Sequence, residues 1–292
     1  MRRCGLPLQR RDGTFVCGAG HSYDIARSGY VNLLQPQDRR SREAGDSRAA
    51  VEARASLLAA GVGRTLIDAI ANRAATLDLG RLKAAPTMSD RLTAAPTIVD
   101  LGCGSGDALA ALTSRAGTGV GIDLSTAAVE RAARHFPDRT WVVANADRRL
   151  PLLDRSVDLV LSLHARRNPA EVVRVLAQTG VLLVAVPAAD DLIELREMIQ
   201  GQRQERDRAG VVLEEHAPLF HLVDRSVVRE TLELDREALL NLLRGTYRGV
   251  RRGAAQRVAA LTRMNVTLAS DLLVFRPGPD QSPLNPPHGE FM

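Results

Sequence analysis

From residue 98 onward the chain alternates short apolar runs with amphipathic stretches. I-V-D-L at 98–101, G-V-G-I-D at 119–123, W-V-V at 141–143, V-D-L-V-L-S-L at 157–163 and V-L-L-V-A-V at 181–186 read as strands. Between them the pattern predicts helices from Asp107, from Thr126 and from Pro169 to Gln178, with another near 190–208. Apolar strands alternating with helices specify an α/β domain whose mostly parallel sheet is covered on both faces. Two later runs, V-V-R-E-T-L-E-L at 227–234 and M-N-V-T-L-A-S-D-L-L-V-F at 264–275, enclose an arginine-rich helical insertion. They predict an edge hairpin that closes the sheet.

Upstream the pattern changes. Residues 1–34 are rich in glycine and arginine, carry Cys4, Cys17 and His21, and show no helical period. They read as a small loop-and-hairpin module, which needs a staple, a metal or a neighbour to fold. From Ser41 to about Leu79, apolar positions at Leu57, Leu58, Leu66, Ile67 and Ile70 predict two helices broken at Gly61 and Gly63. A-A-P-T occurs twice within 84–97 and marks a linker. The expected organisation is a module at 1–36, a helical segment and linker at 37–97, the α/β domain at 98–276 and a disordered proline-rich tail at 277–292.

Composition narrows the function. The 292 residues suffice for two domains or one large one, and 45% hydrophobic with 25% charged is an ordinary globular balance. Aromatic residues, at 3%, leave little material for stacking platforms. No apolar run approaches the roughly 18 residues of a membrane span, and M-R-R-C-G-L-P-L lacks a signal-peptide core, so a cytoplasmic protein is expected. Three cysteines are too few and too scattered for a disulfide framework. Net charge is +5, and Lys83 is the one lysine among 39 basic residues. Arginine forks suit phosphates and guanine edges, although a GC-rich coding sequence also enriches arginine. Residues 1–55 hold ten arginines against six acids, so +4 of the +5 lies there.

The strongest chemical signal is D-L-G-C-G-S-G, Asp100 to Gly106, directly after the first strand of the α/β domain. Glycines at a strand-to-helix turn let the backbone approach a ligand closely. A dinucleotide fingerprint requires G-x-G-x-x-G, but here the third glycine comes one residue early and Asp107 takes its place. G-x-G-x-G with an acid two residues ahead resembles motif I of class I S-adenosylmethionine-dependent methyltransferases. That resemblance implies that Asp100, Gly102, Gly104 and Gly106 hold the methionine end of the cofactor. The next strand ends in Asp123, where a carboxylate can accept both hydroxyls of a ribose. In A-N-A-D-R-R-L-P, Asn145 and Asp147 compete for the adenine contact that the superfamily places there, and either also reads as a turn residue. The fourth strand runs into S-L-H-A-R-R-N-P at 162–169, where this fold brings substrate and methyl donor together. His164 is a candidate general base, with a structural or substrate-packing histidine as the alternative. Arg166 and Arg167 suit phosphates or a solvated helix start, and Cys103 reads as a spacer among glycines rather than a nucleophile.

The N-terminal module adds specificity. C-G-L-P-L from Cys4 and F-V-C-G-A-G-H-S-Y-D-I-A-R-S-G-Y-V-N-L-L at 15–34 resemble the opening of the RlmA-type 23S rRNA guanine-N1-methyltransferases, a family that includes macrolide-resistance members. The likeness continues through Asp46, Arg54, Leu57–Leu58 and motif I to N-P-A-E-V-V-R-V-L and D-L-I-E-L, and covers roughly residues 1–275. It implies a class I methyltransferase, Rossmann-like, with a small N-terminal zinc-ribbon-like module. The implied reaction is methylation of N1 of a guanine in a 23S rRNA hairpin loop, with S-adenosyl-L-methionine as cofactor and a homodimer as the assembly.

The same resemblance implies zinc on Cys4, Cys17 and His21, but Met1 stands where the family's first cysteine falls. Structural zinc takes four ligands. The alternatives are a start further upstream, a fourth ligand from elsewhere, or a module in which Cys4 and Cys17 pack without metal. Two further departures are A-G-V-G at 60–63 in place of G-H-Y, and Arg166 in place of proline. RNA phosphates are expected on Arg2, Arg3, Arg10, Arg11 and Arg27, with Arg39, Arg40 and Arg42 extending the patch. R-G-T-Y-R-G-V-R-R at 244–252 offers Tyr247 for stacking, or a solvated helix face. A methyltransferase of small metabolites and a non-catalytic RNA-binding or ribosome-assembly factor are the competing readings.

Overall fold

A computed structural model describes residues 6–34, 45–77, 96–113, 118–201, 205–246 and 253–278. The N-terminal module opens with a three-stranded antiparallel sheet of β1 (Leu8–Arg11), β2 (Thr14–Cys17) and β3 (Ser22–Asp24). Asp12 and Gly13, at φ 41° and 80°, make the β1–β2 turn, where both central residues must be left-handed. β4 (Tyr30–Asn32) then leaves the module and pairs in parallel with a strand of the main sheet.

Two helices follow, α1 (Arg48–Ala59) and α2 (Arg64–Thr76), separated by the expected glycine break. Gly61 and Gly63 both adopt positive φ there. The α/β domain comprises β5 (Thr97–Leu101), α3 (Asp107–Thr113), β6 (Thr118–Asp123), α4 (Thr126–His135) and β7 (Thr140–Val143). It continues with β8 (Val157–Leu163), α5 (Pro169–Val175), β9 (Leu176–Pro187), α6 (Ile193–Gln200) and α7 (Ala209–His216). β10 (Phe220–Asp235), α8 (Arg236–Thr246), α9 (Ala254–Ala259) and β11 (Arg263–Pro277) complete it.

The eight-stranded sheet has the order β10-β11-β9-β8-β5-β6-β7-β4. The six strands from β9 to β4 run parallel, while β11 is antiparallel to both its neighbours. The expected mostly parallel, doubly covered sheet is therefore present. Alternate residues of each strand feed opposite faces: Leu182 and Val184 pack with Val172 of α5 and Val212 of α7. Leu183 and Ala185 share the other face with Ile70 of α2, Leu109 of α3 and Val129 of α4.

The β10–β11 hairpin is longer than its β-rich runs suggested, and its far half leaves the sheet. There Leu234 and Val266 join Leu57, Leu195, Leu239, Leu242 and Val258 in a third core. β9 stops at Pro187, so the β11 amides beyond it lose their strand partner. Carboxylates replace it: Asp191 Oδ1 accepts from the Ala269 amide at 3.0 Å and Glu194 Oε2 from the Thr267 amide at 2.9 Å.

Three boundaries depart from the pattern. The helix expected through Gln178 ends at Val175, because Leu176 already pairs with Val157 in the sheet. The single helix expected near 190–208 is interrupted: Gly201, at φ 72°, closes α6, and α7 starts only at Ala209. The end of the N-terminal segment is an edge strand of the main sheet, continued by a hydrogen bond from the Leu33 amide to Val143 O.

Trp141 anchors the sheet beneath the glycine turn: it is 1% exposed and its Nε1–H donates to Phe136 O at 2.8 Å. Trp141→Ala is expected to cost about 3–5 kcal/mol, measured as a lower denaturation midpoint by circular dichroism.

Candidate cofactor and acceptor site

β5 ends in Asp100, 1% exposed, and the chain turns through Gly102, Gly104 and Gly106 at φ 75°, 54° and 87°. Packing explains two of these glycines. A side chain at 102 would strike Ala165, and one at 106 would strike Trp141. Gly104 differs, since a Cβ there would meet nothing within 4 Å, so the backbone borders open space.

Asp123, at the end of the neighbouring strand β6, is held by two amides. Its Oδ2 accepts from Gly104 N–H at 2.9 Å and its Oδ1 from Ser125 N–H at 2.7 Å. Asp100 Oδ1 is buried without a hydrogen-bond partner among the described residues. Burial, and then the charge of Asp123, pushes the Asp100 carboxyl up to about 8. Burial also raises Asp123, and its two amide bonds oppose that shift. The Cys103 thiol is driven up by burial and by both carboxylates, which removes any nucleophilic character.

An orphaned carboxylate oxygen and a second carboxylate, beside an open backbone cradle, call for a ligand with donors and positive charge. S-adenosylmethionine carries an ammonium, a sulfonium and a ribose diol, and the residues present fit it.

A strut that sequence reasoning noted only as matching residues braces this corner. Ser125 caps α4 and donates its hydroxyl to Asp46 O at 2.7 Å. Arg54 binds the Asp46 carboxylate and donates from Nη1 to Gly245 O at 2.7 Å. Gly45, at φ 83°, lies against the Leu124–Ser125 backbone too closely for a side chain. The strand ends gather the other expected residues less tightly. Asn145 Oδ1 accepts the Asp147 amide at 2.9 Å and so builds the turn after β7. Asp147 is exposed on the rim, 3.7 Å from the Arg166 guanidinium, itself 88% exposed.

Across the cleft His164 follows β8 with φ 51°, a strained conformation for a non-glycine residue. Its Nε2 lies 2.9 Å from Ser270 Oγ of β11. The residue keeps an exposed surface. Desolvation of the imidazole by the protein, and then the charge of Arg208, lowers it to about 4, so it is neutral at physiological pH. Arg167 is a clamp rather than a free cation. Its guanidinium donates to Ala165 O at 3.0 Å and to Nε2 of the fully buried His216 at 3.1 Å. His216 donates in turn from Nδ1 to Val212 O at 2.8 Å and stacks on Phe275, so α7 pins the 164–168 loop.

In the N-terminal module Cys17 Sγ lies 3.2 Å from His21 Nδ1, within hydrogen-bond distance, so the two side chains share one corner of the module. Cys4 lies outside the described residues, among which no group of three metal-ligating side chains occurs. Arg10, Arg11 and Arg27 are exposed on this module. Arg2, Arg3, Arg39, Arg40, Arg42 and Tyr247 also lie outside the described residues. Among the described residues no helix is long and apolar enough to cross a membrane.

The parallel sheet, the acid-glycine turn and the acid at the next strand end together define a class I S-adenosylmethionine-dependent methyltransferase. A methyltransferase-domain family profile matches residues 98–183, and a zinc-ribbon profile described as "RlmA, N-terminal" matches residues 3–42. The 23S rRNA (guanine(748)-N(1))-methyltransferase of Streptomyces fradiae is 35% identical over 282 residues, covering 94% of this chain and 95% of its own. A Micromonospora griseorubida protein provisionally described as a 23S rRNA (guanine-N(1)-)-methyltransferase is 34% identical, covering 94% and 95%. A Bacillus subtilis protein with the same provisional description is 33% identical, covering 84% and 86%. The chain belongs to this RlmA-type family of 23S rRNA guanine-N1-methyltransferases.

An unfolded aspartate releases its proton near pH 4, whereas folded Asp100 holds it to about 8. The stability this group contributes is therefore full below the lower value and drains as pH rises through the upper one. Asp100→Asn is expected to stabilise the cofactor-free protein at pH 8 by on the order of 2 kcal/mol. Denaturation series should show that gain vanishing below about pH 4.

Proposed function

We propose that this protein transfers the methyl group of S-adenosylmethionine to N1 of a guanine in 23S rRNA. The observation that carries this reading is a likeness to the rRNA methyltransferases that runs through both the zinc-ribbon module and the catalytic domain. A likeness confined to the α/β domain would support methyl transfer without a substrate. When bound, the cofactor supplies an electrophilic methyl group on a sulfonium that is its own leaving group.

The chain's residues then have separable tasks. Asp100 and the turn through Gly102, Gly104 and Gly106 take the methionine end, and Asp123 orients the ribose. Asn145 and Asp147, at the turn after β7, border the adenine. His164 stands on the acceptor side as a neutral ring. Guanine N1 is covered in Watson-Crick pairs, so the target must be an unpaired or extruded base presented to this cleft. Arg10, Arg11 and Arg27 grip phosphates, with Arg2, Arg3, Arg39, Arg40 and Arg42 extending the N-terminal patch, and Tyr247 in the 244–252 run is a separate stacking candidate. In the module, Cys4, Cys17 and His21 would supply three of the four ligands of a structural zinc.

Incubation with labelled S-adenosylmethionine and protein-free 23S rRNA should methylate the RNA and create one new reverse-transcription stop beside a loop guanine. RNA binding should weaken linearly on a log-log plot against salt. Gly104→Val fills the cradle and should abolish cofactor binding in calorimetry. Transfer to small metabolites alone, with rRNA unmodified, would overturn the reading. Metal analysis should find zinc in the purified protein and its loss in Cys17→Ser and His21→Ala.

A further inference from the structure

Methylation at N1 requires that the guanine lose its N1 proton. Resting on the reaction proposed above, we propose that Asp191 is the carboxylate that accepts it, in an acceptor pocket bounded by His164, Ser270 and Arg208. A continuous chain of contacts leads there from the cofactor turn. Gly102 abuts Ala165, His164 precedes Ala165, and His164 Nε2 meets Ser270 Oγ. The adjoining residue, Ala269, donates its amide to Asp191 Oδ1 at 3.0 Å. Both His164 and Asp191 thus clasp neighbouring residues of β11, beyond the carboxyl ends of β8 and β9, where ligands of α/β sheets bind.

Elimination among the acids supports the choice. Asp100 and Asp123 belong to the cofactor corner, and Asp123 is locked by two amides. Asp190 is paired with Arg229 at 3.0 Å. Both carboxylate oxygens of Glu194 are engaged by Thr267. Asp147 is exposed on the rim beside Arg166. Asp191 alone in this group has one oxygen fixed by a backbone amide and the other, Oδ2, outside any hydrogen bond among the described residues. It is half-buried, so part of the residue remains accessible to an incoming base.

The charges around it are mixed. Arg196 of α6 and Arg208 ahead of α7 favour the carboxylate, and Asp190 on its own loop opposes it. Glu194 of α6, neutral His164 after β8, Arg229 of β10 on Asp190, and Arg206, whose amide donates to Ala189 O, lie around it as well. Burial dominates and leaves the Asp191 carboxyl at about 6, ionised at neutral pH yet basic enough to take a proton. In the step itself the N1–H proton passes to Asp191 Oδ2. The N1 lone pair forms the bond to the methyl carbon, the C–S bonding pair stays on sulfur, and the carboxyl afterwards returns its proton to water.

The test compares the wild type with Asp191→Asn, which keeps an oxygen for the Ala269 amide. It uses single-turnover methyl transfer to protein-free 23S rRNA, with cofactor binding by calorimetry and RNA binding by gel shift. The variant should retain both affinities and lose about 100-fold or more in rate. Without any variant, the wild-type rate should rise about tenfold per pH unit and level off near pH 6. A variant as fast as the wild type, or a wild-type rate that keeps climbing through pH 8, overturns the assignment. If the wild type leaves guanine N1 unmodified, the reaction proposed above falls and this assignment with it. An active wild type beside an equally active variant overturns the assignment alone.

Discussion

Two carboxylates at the ends of adjacent parallel strands impose the constraint on which the site depends. Asp100 and Asp123 share a buried corner: burial raises both carboxyls, and the charge of Asp123 further disfavours ionisation of Asp100. The protein answers with two backbone amides on Asp123 and none on Asp100 Oδ1. One acid is therefore fixed as an acceptor, and the other is left in want of a cation or donor. Holding the pair requires the backbone to bend through left-handed glycines packed against Trp141 and Ala165, where no larger residue fits. A single packing demand thus links the cofactor turn to the core below it and to the acceptor loop beside it.

The N-terminal segment is built into this arrangement rather than hung from it. β4 extends the main sheet at β7, and Gly45 and Asp46 then lie across Ser125, which orients Asp123 through its amide. Arg54 carries the connection onward to the end of α8 at Gly245. The basic, cysteine-bearing module therefore reaches the cofactor corner through backbone pairing and buried polar contacts. In a protein that must place one base of a large RNA beside a methyl donor, such continuity fixes distance and orientation, from which proximity catalysis draws its advantage.

Much of the scaffold was legible because its signals are local. Gly61 and Gly63 announced a helix break, the apolar runs announced a doubly covered sheet, and the spacing of Gly102, Gly104 and Gly106 separated this turn from a dinucleotide loop. What escaped depends on partners distant in sequence. Tyr30–Asn32 is too short and too polar at its ends to read as a strand without β7 beside it. Leu176 looks helical until Val157 pairs with it. The amphipathic stretch after residue 190 reads as one helix, although Gly201 in its middle was an available warning. Asp191 opens the D-L-I-E-L run but carried no assigned role there, and Arg208 lies in no motif; both gain meaning because β9 ends short of β11. Arg167 read as a phosphate contact or a solvated residue, and its buried histidine partner lies on α7, which the pattern did not predict.

Cofactor-free Asp100 keeps a proton at neutral pH and releases it to solvent when a cationic cofactor binds. Calorimetry of S-adenosylmethionine binding at pH 7, in buffers of different ionisation enthalpy, counts the protons exchanged. The predicted result is release approaching about one proton per cofactor bound. Binding whose heat is independent of the buffer would contradict it.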